Sequence, residues 1–214
     1  MEKKITSIEN QKKCSDRVNV YLDGEYAFAC SLDTVVKYKL ILGKSVDSSY
    51  LSSIIEEDNY VKGKAYAFRI LERGMKSEKE ILTKLQGKGF DEKTCTKVIS
   101  LLKDYGYIDD GKLSDMYINQ KLKSEGANRI KGFLYRKGIP EAVIKEKVDG
   151  IDEDAAEETA YNLAIKKYIR MAAAEEDKRK LYRKLGDFLV RRGYSYDISK
   201  KVLNRIFNEY YGGE

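Results

Sequence analysis

With 214 residues, 42% of them apolar, the chain is long enough to bury one sizeable core or several small ones. It contains no histidine, which excludes Ser–His–Asp and Cys–His catalysis, and no apolar run long enough to span a membrane. The net charge of +6 is modest, and Cys14, Cys30 and Cys95 are too scattered for a disulfide framework or a zinc site and fit reduced packing thiols.

The first residues, MEKKITSIENQKK, lack the apolar stretch of a signal peptide, so a cytoplasmic location is expected. β structure follows. Val18, Val20 and Leu22 alternate with Arg17, Asn19 and Tyr21, then Asp23-Gly24 breaks the run before Tyr26, Phe28 and Cys30 resume it. Asp-Gly between alternating runs predicts a β-hairpin, because the turn needs positive φ. KKITSIENQ, with Ile5 and Ile8, could add a third strand. Residues 31–58 predict two short helices, capped by Ser31 or Asp33 and by Asp47 or Ser48, which complete a module over 1–58.

A helix is expected over 59–73, with Val61, Ala65, Phe68 and Leu71 on one face. Ser77 and Glu80 then form a capping box. The next phrase occurs three times: two apolar residues four apart, then four on a glycine, then an apolar residue. Its copies are Ile81, Leu85, Gly89, Phe90; Ile130, Leu134, Gly138, Ile139; and Leu185, Leu189, Gly193, Tyr194. The spacing puts the apolar pair on one helix face, and the glycine ends the helix in a left-handed conformation. Offsets of 49 and 55 residues between the glycines predict stacked helical repeats over 59–109, 110–150 and 151–214.

Within these repeats Asp91 caps a helix ending near Tyr105. Gly106 closes it, and Asp109 or Asp110 caps the next. Helices are expected near 114–124, 127–137 and 140–149, with Pro140 in a first turn. Three more are expected from 151 to about 174, near 178–192 and near 196–209, with fraying at the terminal YGGE.

Charge is segregated. Residues 1–58 hold eight bases against ten acids, with Lys12 and Lys13 in the hairpin. Residues 121–147 hold eight bases against three acids, 148–165 six acids and no base, and 166–205 thirteen bases against five acids. Both basic blocks coincide with the second and third repeat helices, so an anionic partner is expected. The candidate contacts are Lys121, Lys123, Arg129, Lys131, Arg136 and Lys137 in the second repeat, and Arg183, Lys184, Arg191 and Arg192 in the third. Cations are also favoured near a helix C-terminus by its dipole, whatever they bind. Tyr135, Tyr182 and Tyr194 stand beside these cations as stacking candidates, although most of the seventeen tyrosines are expected in the core. No Gly-rich phosphate loop or convincing acid cluster is present, so neither catalysis nor a cofactor nor a metal is expected.

KSEKEILTKLQGKGF, LLKDYGYIDD, KSEGANRIKGFLYRKGI and KLGDFLVRRGYSYD together resemble the RecX family, the regulators of the RecA recombinase. The resemblance covers about 60–209, and the N-terminal hairpin resembles an extension seen in some members. Two positions depart from the family pattern. Arg73-Gly74-Met75-Lys76-Ser77 stands where an Arg-x-Arg-Ser opening is usual, and Gly126-Ala127-Asn128 where proline often precedes the helix. The resemblance implies a mainly α protein: a curved array of three helix-turn-helix-like three-helix repeats behind a small β-hairpin module. It implies a monomer that lies in the groove of the RecA–single-stranded DNA filament and modulates, usually inhibits, RecA ATPase, strand exchange and coprotease activity. Direct contact with single- or double-stranded DNA is compatible with it. The alternative, which charge and the paired short helices allow, is a stand-alone DNA-binding module of helix-turn-helix type.

Overall fold

The computed structural model describes residues 2–11 and 14–211; Met1, Lys12 and Lys13, the side chains of Cys14 and Ser15 and the terminal Gly212, Gly213 and Glu214 lie outside them. Strands β1 (Lys3–Gln11), β2 (Cys14–Leu22), β3 (Glu25–Ser31) and β4 (Ser45–Val46) form one antiparallel sheet in the order β3-β2-β1-β4. The expected hairpin is β2–β3, turned by Asp23 (φ 51°) and Gly24 (φ 90°). It is not left as a two-stranded ribbon. KKITSIENQ pairs with β2, and the side chain of Asp23 accepts from the Lys4 amide at 3.0 Å.

The chain divides into two compact units. The first is Met1–Gly74 with Ile81–Tyr107, and the second Met75–Glu80 with Ile108–Glu214. In the first, helices α1 (Leu32–Lys37) and α2 (Ser48–Leu71) follow the sheet, capped by Ser31 and Asp47. Ile5, Val18, Val20, Cys30 and Ile54 are buried together between sheet and helices. The separate helices expected to either side of residue 58 are one 24-residue helix, so the boundary at 58/59 falls inside α2. No Gly or Pro interrupts 48–62. Asp58 does not cap a new helix but turns inward, 2% exposed, to Arg17 (3.2 Å), Lys62 (2.6 Å) and the Ser31 amide (2.9 Å). The C-terminal half of α2 packs on α4 (Glu92–Asp104) so closely that a Cβ on Gly63 would stand 3.1 Å from Thr94 and 3.2 Å from Val98.

Helix α3 (Glu78–Gly87) starts at the capping box. The Glu80 amide donates to Ser77 Oγ and the Ser77 amide to Glu80 Oε2, each at 3.1 Å. The second repeat is α5 (Asp110–Lys121), α6 (Ala127–Lys137) and α7 (Glu141–Asp149), closed over Ile118, Ile130, Leu134 and Ile144. Asp109 caps α5, starting it four residues earlier than expected, while Asp110 accepts from the Glu78 amide. The third repeat is α8 (Glu153–Ala172), α9 (Lys178–Arg191) and α10 (Tyr196–Tyr211), closed over Ala160, Leu181, Leu185, Leu189, Val202 and Ile206.

The repeated phrase has one physical meaning at all three sites. Gly89, Gly138 and Gly193 have φ of 91°, 76° and 88°. The following amide reaches back to the leucine carbonyl four residues before the glycine: Phe90 to Leu85 (3.2 Å), Ile139 to Leu134 (3.1 Å) and Tyr194 to Leu189 (3.2 Å). This is the Schellman closure, in which an L-residue's Cβ would oppose the left-handed turn. Leu85, Leu134 and Leu189 are each fully buried, and truncating such a residue costs about 2–5 kcal/mol.

Candidate functional site

The ten candidate cations divide by what they touch. Arg129, Lys137 and Arg192 hold repeats together. The Gly126 amide donates to the Arg192 carbonyl (2.8 Å) and the Asn128 amide to that of Gly193 (3.0 Å), so the start of α6 sits on the end of α9. Arg192 Nη1 donates to the Ser124 carbonyl (2.9 Å), and Arg129 spans Glu125 (3.3 Å) and the Arg191 carbonyl (3.1 Å). Approach here is so close that a Cβ on Gly126 would lie 2.4 Å from backbone atoms of Gly193 and Tyr194, so only glycine fits without a shift. A parallel contact lies at the end of α6. Ser77 Oγ donates to the Lys137 carbonyl (2.5 Å), and Lys137 Nζ donates to Glu80 (2.6 Å). Partial burial would raise the Glu80 pKa, but the Lys137 ammonium and the Ser77 amide outweigh it and hold the carboxyl below its ordinary value.

Two more cations are paired on the surface. Lys121 lies 3.8 Å from Glu125, and Lys184 donates to Glu175 at 2.9 Å. The remaining five, Lys123, Lys131, Arg136, Arg183 and Arg191, are exposed, and none makes an ion pair among the described residues. Lys131 lies over the Tyr135 ring (5.9 Å) and Arg136 over that of Phe133 (6.0 Å).

Of the three stacking candidates only Tyr135 is exposed, and its hydroxyl donates to Glu141 at 3.0 Å. Tyr182 leans edge-on against Phe207. Tyr194 is 3% exposed, and burial pushes its phenol pKa up.

Three basic residues went unrecognised in the sequence. Lys166, Lys167 and Arg170 on α8 face Lys184 and Arg191 on α9 and Arg192 at its C-cap across two adjoining hollows of about 450 and 350 Å³. Phe188, Met171 and Leu163 supply apolar lining. Their signal was the spacing: 163, 166, 167 and 170 share one helix face, a pattern that the block-wide charge count conceals.

Residues 3–47 match the Regulatory protein RecX N-terminal domain, 64–102 the first three-helix domain of RecX and 154–203 the third. Regulatory protein RecX of Clostridium tetani is 43% identical over 203 residues, covering 95% of this chain and 94% of that protein. The Clostridium acetobutylicum protein of the same name is 41% identical, covering 97% of this chain and 98% of its own length. A solved structure titled as regulatory protein RecX aligns with a TM-score of 0.70 at 26% identity, covering 94% of this chain and 99% of that one. RecX from Lactobacillus salivarius aligns at 0.65 and 24% identity, over 70% of this chain and 97% of its own, and shares the fold. With near-full-length identity of this order to named members, and their domains matched in the same succession, the chain belongs to the RecX family of regulatory proteins.

Proposed function

We propose that this protein binds the RecA–single-stranded DNA filament and inhibits RecA ATPase, strand exchange and coprotease activity, without catalytic chemistry of its own. Family membership supports RecA as the partner, and one observation directs the reading to a surface. Lys123, Lys131, Arg136, Arg183 and Arg191 are exposed on the second and third repeats without ion pairs among the described residues. Cations left unpaired by their own fold cost little to bring against acidic protein or phosphate. Tandem repeats suit an extended partner, because contacts spread over several modules add avidity without new contact types.

The test is RecA ATPase on single-stranded DNA, titrated with the protein at fixed salt. Dose-dependent inhibition is expected. Unchanged turnover at saturating protein would refute the reading. Binding to DNA alone, measured in parallel, separates it from a stand-alone DNA-binding module, whose affinity would fall steeply with salt through counterion release.

A further inference from the structure

We propose that the groove between α8 and α9 is a docking site for an acidic, amphipathic helical segment of a protein partner. This rests on the regulatory reading and deepens it by naming the chemistry the partner must present. The lining has two parts. Leu163, Met171, Ala174 and Phe188 give it an apolar base, and cations rise on both helices, with Arg170 and Lys167 facing Arg191 and Arg192. Among the described residues Glu175 is the one carboxylate lining these hollows, and it is held by Lys184. The hydrogen bond from that ammonium is the main reason its carboxyl lies below its ordinary pKa, so it stays charged and paired near neutrality.

Length and chemistry select the occupant. From Leu163 to Met171 the groove follows α8 for about 12 Å at 1.5 Å per residue, a little over two helical turns. A helix with leucines at i, i+4 and i+7 would set them on the apolar base and bring flanking carboxylates to both rims. A nucleic-acid strand satisfies only the rims. Among the described residues Phe188 is the sole aromatic of the lining, and the Arg192 guanidinium lies over its ring at 5.1 Å. Aliphatic side chains offer no stacking platform for the next base.

The experiment is fluorescence anisotropy on the whole chain. The probe is a labelled peptide of about fourteen residues carrying leucines at that helical spacing among glutamates. A permuted peptide of identical composition and a single-stranded oligothymidylate serve as competitors. The patterned peptide is expected to bind at least about ten-fold more tightly than the permuted one. Arg170→Glu combined with Arg191→Glu should weaken it by roughly ten-fold or more, as should Phe188→Ala, while Phe188→Leu retains most of the affinity. Arg170 and Arg191 are both exposed, so their variant stays informative if Phe188→Ala proves unfolded by circular dichroism. Equal binding of the two peptides, or no response to the double charge reversal, overturns the proposal. So does oligothymidylate binding that falls with Phe188→Ala while peptide binding stands. RecA is absent from this assay, so its failure is distinct from failure of the ATPase test.

Discussion

Replacing Gly126 by alanine tests whether the second and third repeats are joined through their backbones. Gly126 has φ −83° and ψ 165°, which any residue adopts, so alanine introduces no backbone strain of its own. What changes is space. Its Cβ would stand 2.4 Å from the carbonyl carbon and oxygen of Gly193 and from the Tyr194 nitrogen, which are backbone atoms that cannot rotate aside. Relief requires separating α6 from the end of α9, which breaks the Gly126–Arg192 and Asn128–Gly193 hydrogen bonds. Two such bonds contribute about 1 kcal/mol each. Overpacking adds roughly 1–3 kcal/mol, and reduced freedom of the unfolded chain returns about 0.4–1 kcal/mol. The net loss is about 3 kcal/mol, a fall of roughly 6–12 °C in Tm for a chain of this size. Gly132→Ala is the control. It lies inside α6, where the added Cβ meets only Arg136 Nη1 at 3.6 Å. Better helix propensity should stabilise that variant by about 0.5–1 kcal/mol and raise Tm. Differential scanning calorimetry of both variants provides the measurement, and Gly126→Ala unfolding at or above the parental temperature refutes the backbone joint.

Asp58→Ala should leave the Arg17 guanidinium in the first unit without its carboxylate, at a cost of about 3–5 kcal/mol read from urea unfolding. Glu80→Gln keeps a residue able to close the capping box and removes only the charge that Lys137 faces. Because the folded Glu80 pKa is depressed, its contribution is full above the ordinary value of 4.5 and is lost as pH falls through the folded pKa. Acid titration of stability should therefore show a smaller loss below that pH in the Gln variant. Joint charge reversal at Lys131, Arg136, Arg183 and Arg191 should weaken RecA ATPase inhibition with little change in Tm, whereas reversal at Arg129, Lys137 and Arg192 should lower Tm as well. Parental inhibition by the folded exposed-residue variant would show that the proposed surface is wrong.

Much of the fold was legible because local signals agreed. Asp23-Gly24, the Ser77–Glu80 box and the Gly89, Gly138 and Gly193 terminators each name a backbone conformation that only a few residue types adopt, and each occurs where expected. Continuity of α2 was less legible. Asp58 has the chemistry of a cap, and only the distant Arg17 and Ser31 show that its carboxylate is needed inside. The α8 side of the groove stayed hidden for a related reason. Lys166, Lys167 and Arg170 become a feature only when α9 brings cations opposite them, and local sequence spacing does not state which faces meet.

The same geometry explains why basic residues before a terminal glycine are ambiguous as evidence of binding. A helix C-terminus leaves carbonyls unsatisfied and attracts cations through its dipole. Here those carbonyls are used. Lys137 presents its carbonyl to Ser77 and its ammonium to Glu80, while Arg192 presents its carbonyl to Gly126 and its guanidinium to Ser124. The residue just before each turns the other way: Arg136 and Arg191 are exposed, about 100° round the helix from their neighbours. An Arg-Lys or Arg-Arg pair ahead of the glycine thus contains one residue whose side chain is committed to the repeat joint and one whose side chain is exposed. Charge counting cannot separate the two, because both members raise the local charge equally. Helical phase can, because only the second of each pair precedes the left-handed glycine directly and has its carbonyl at the closing turn.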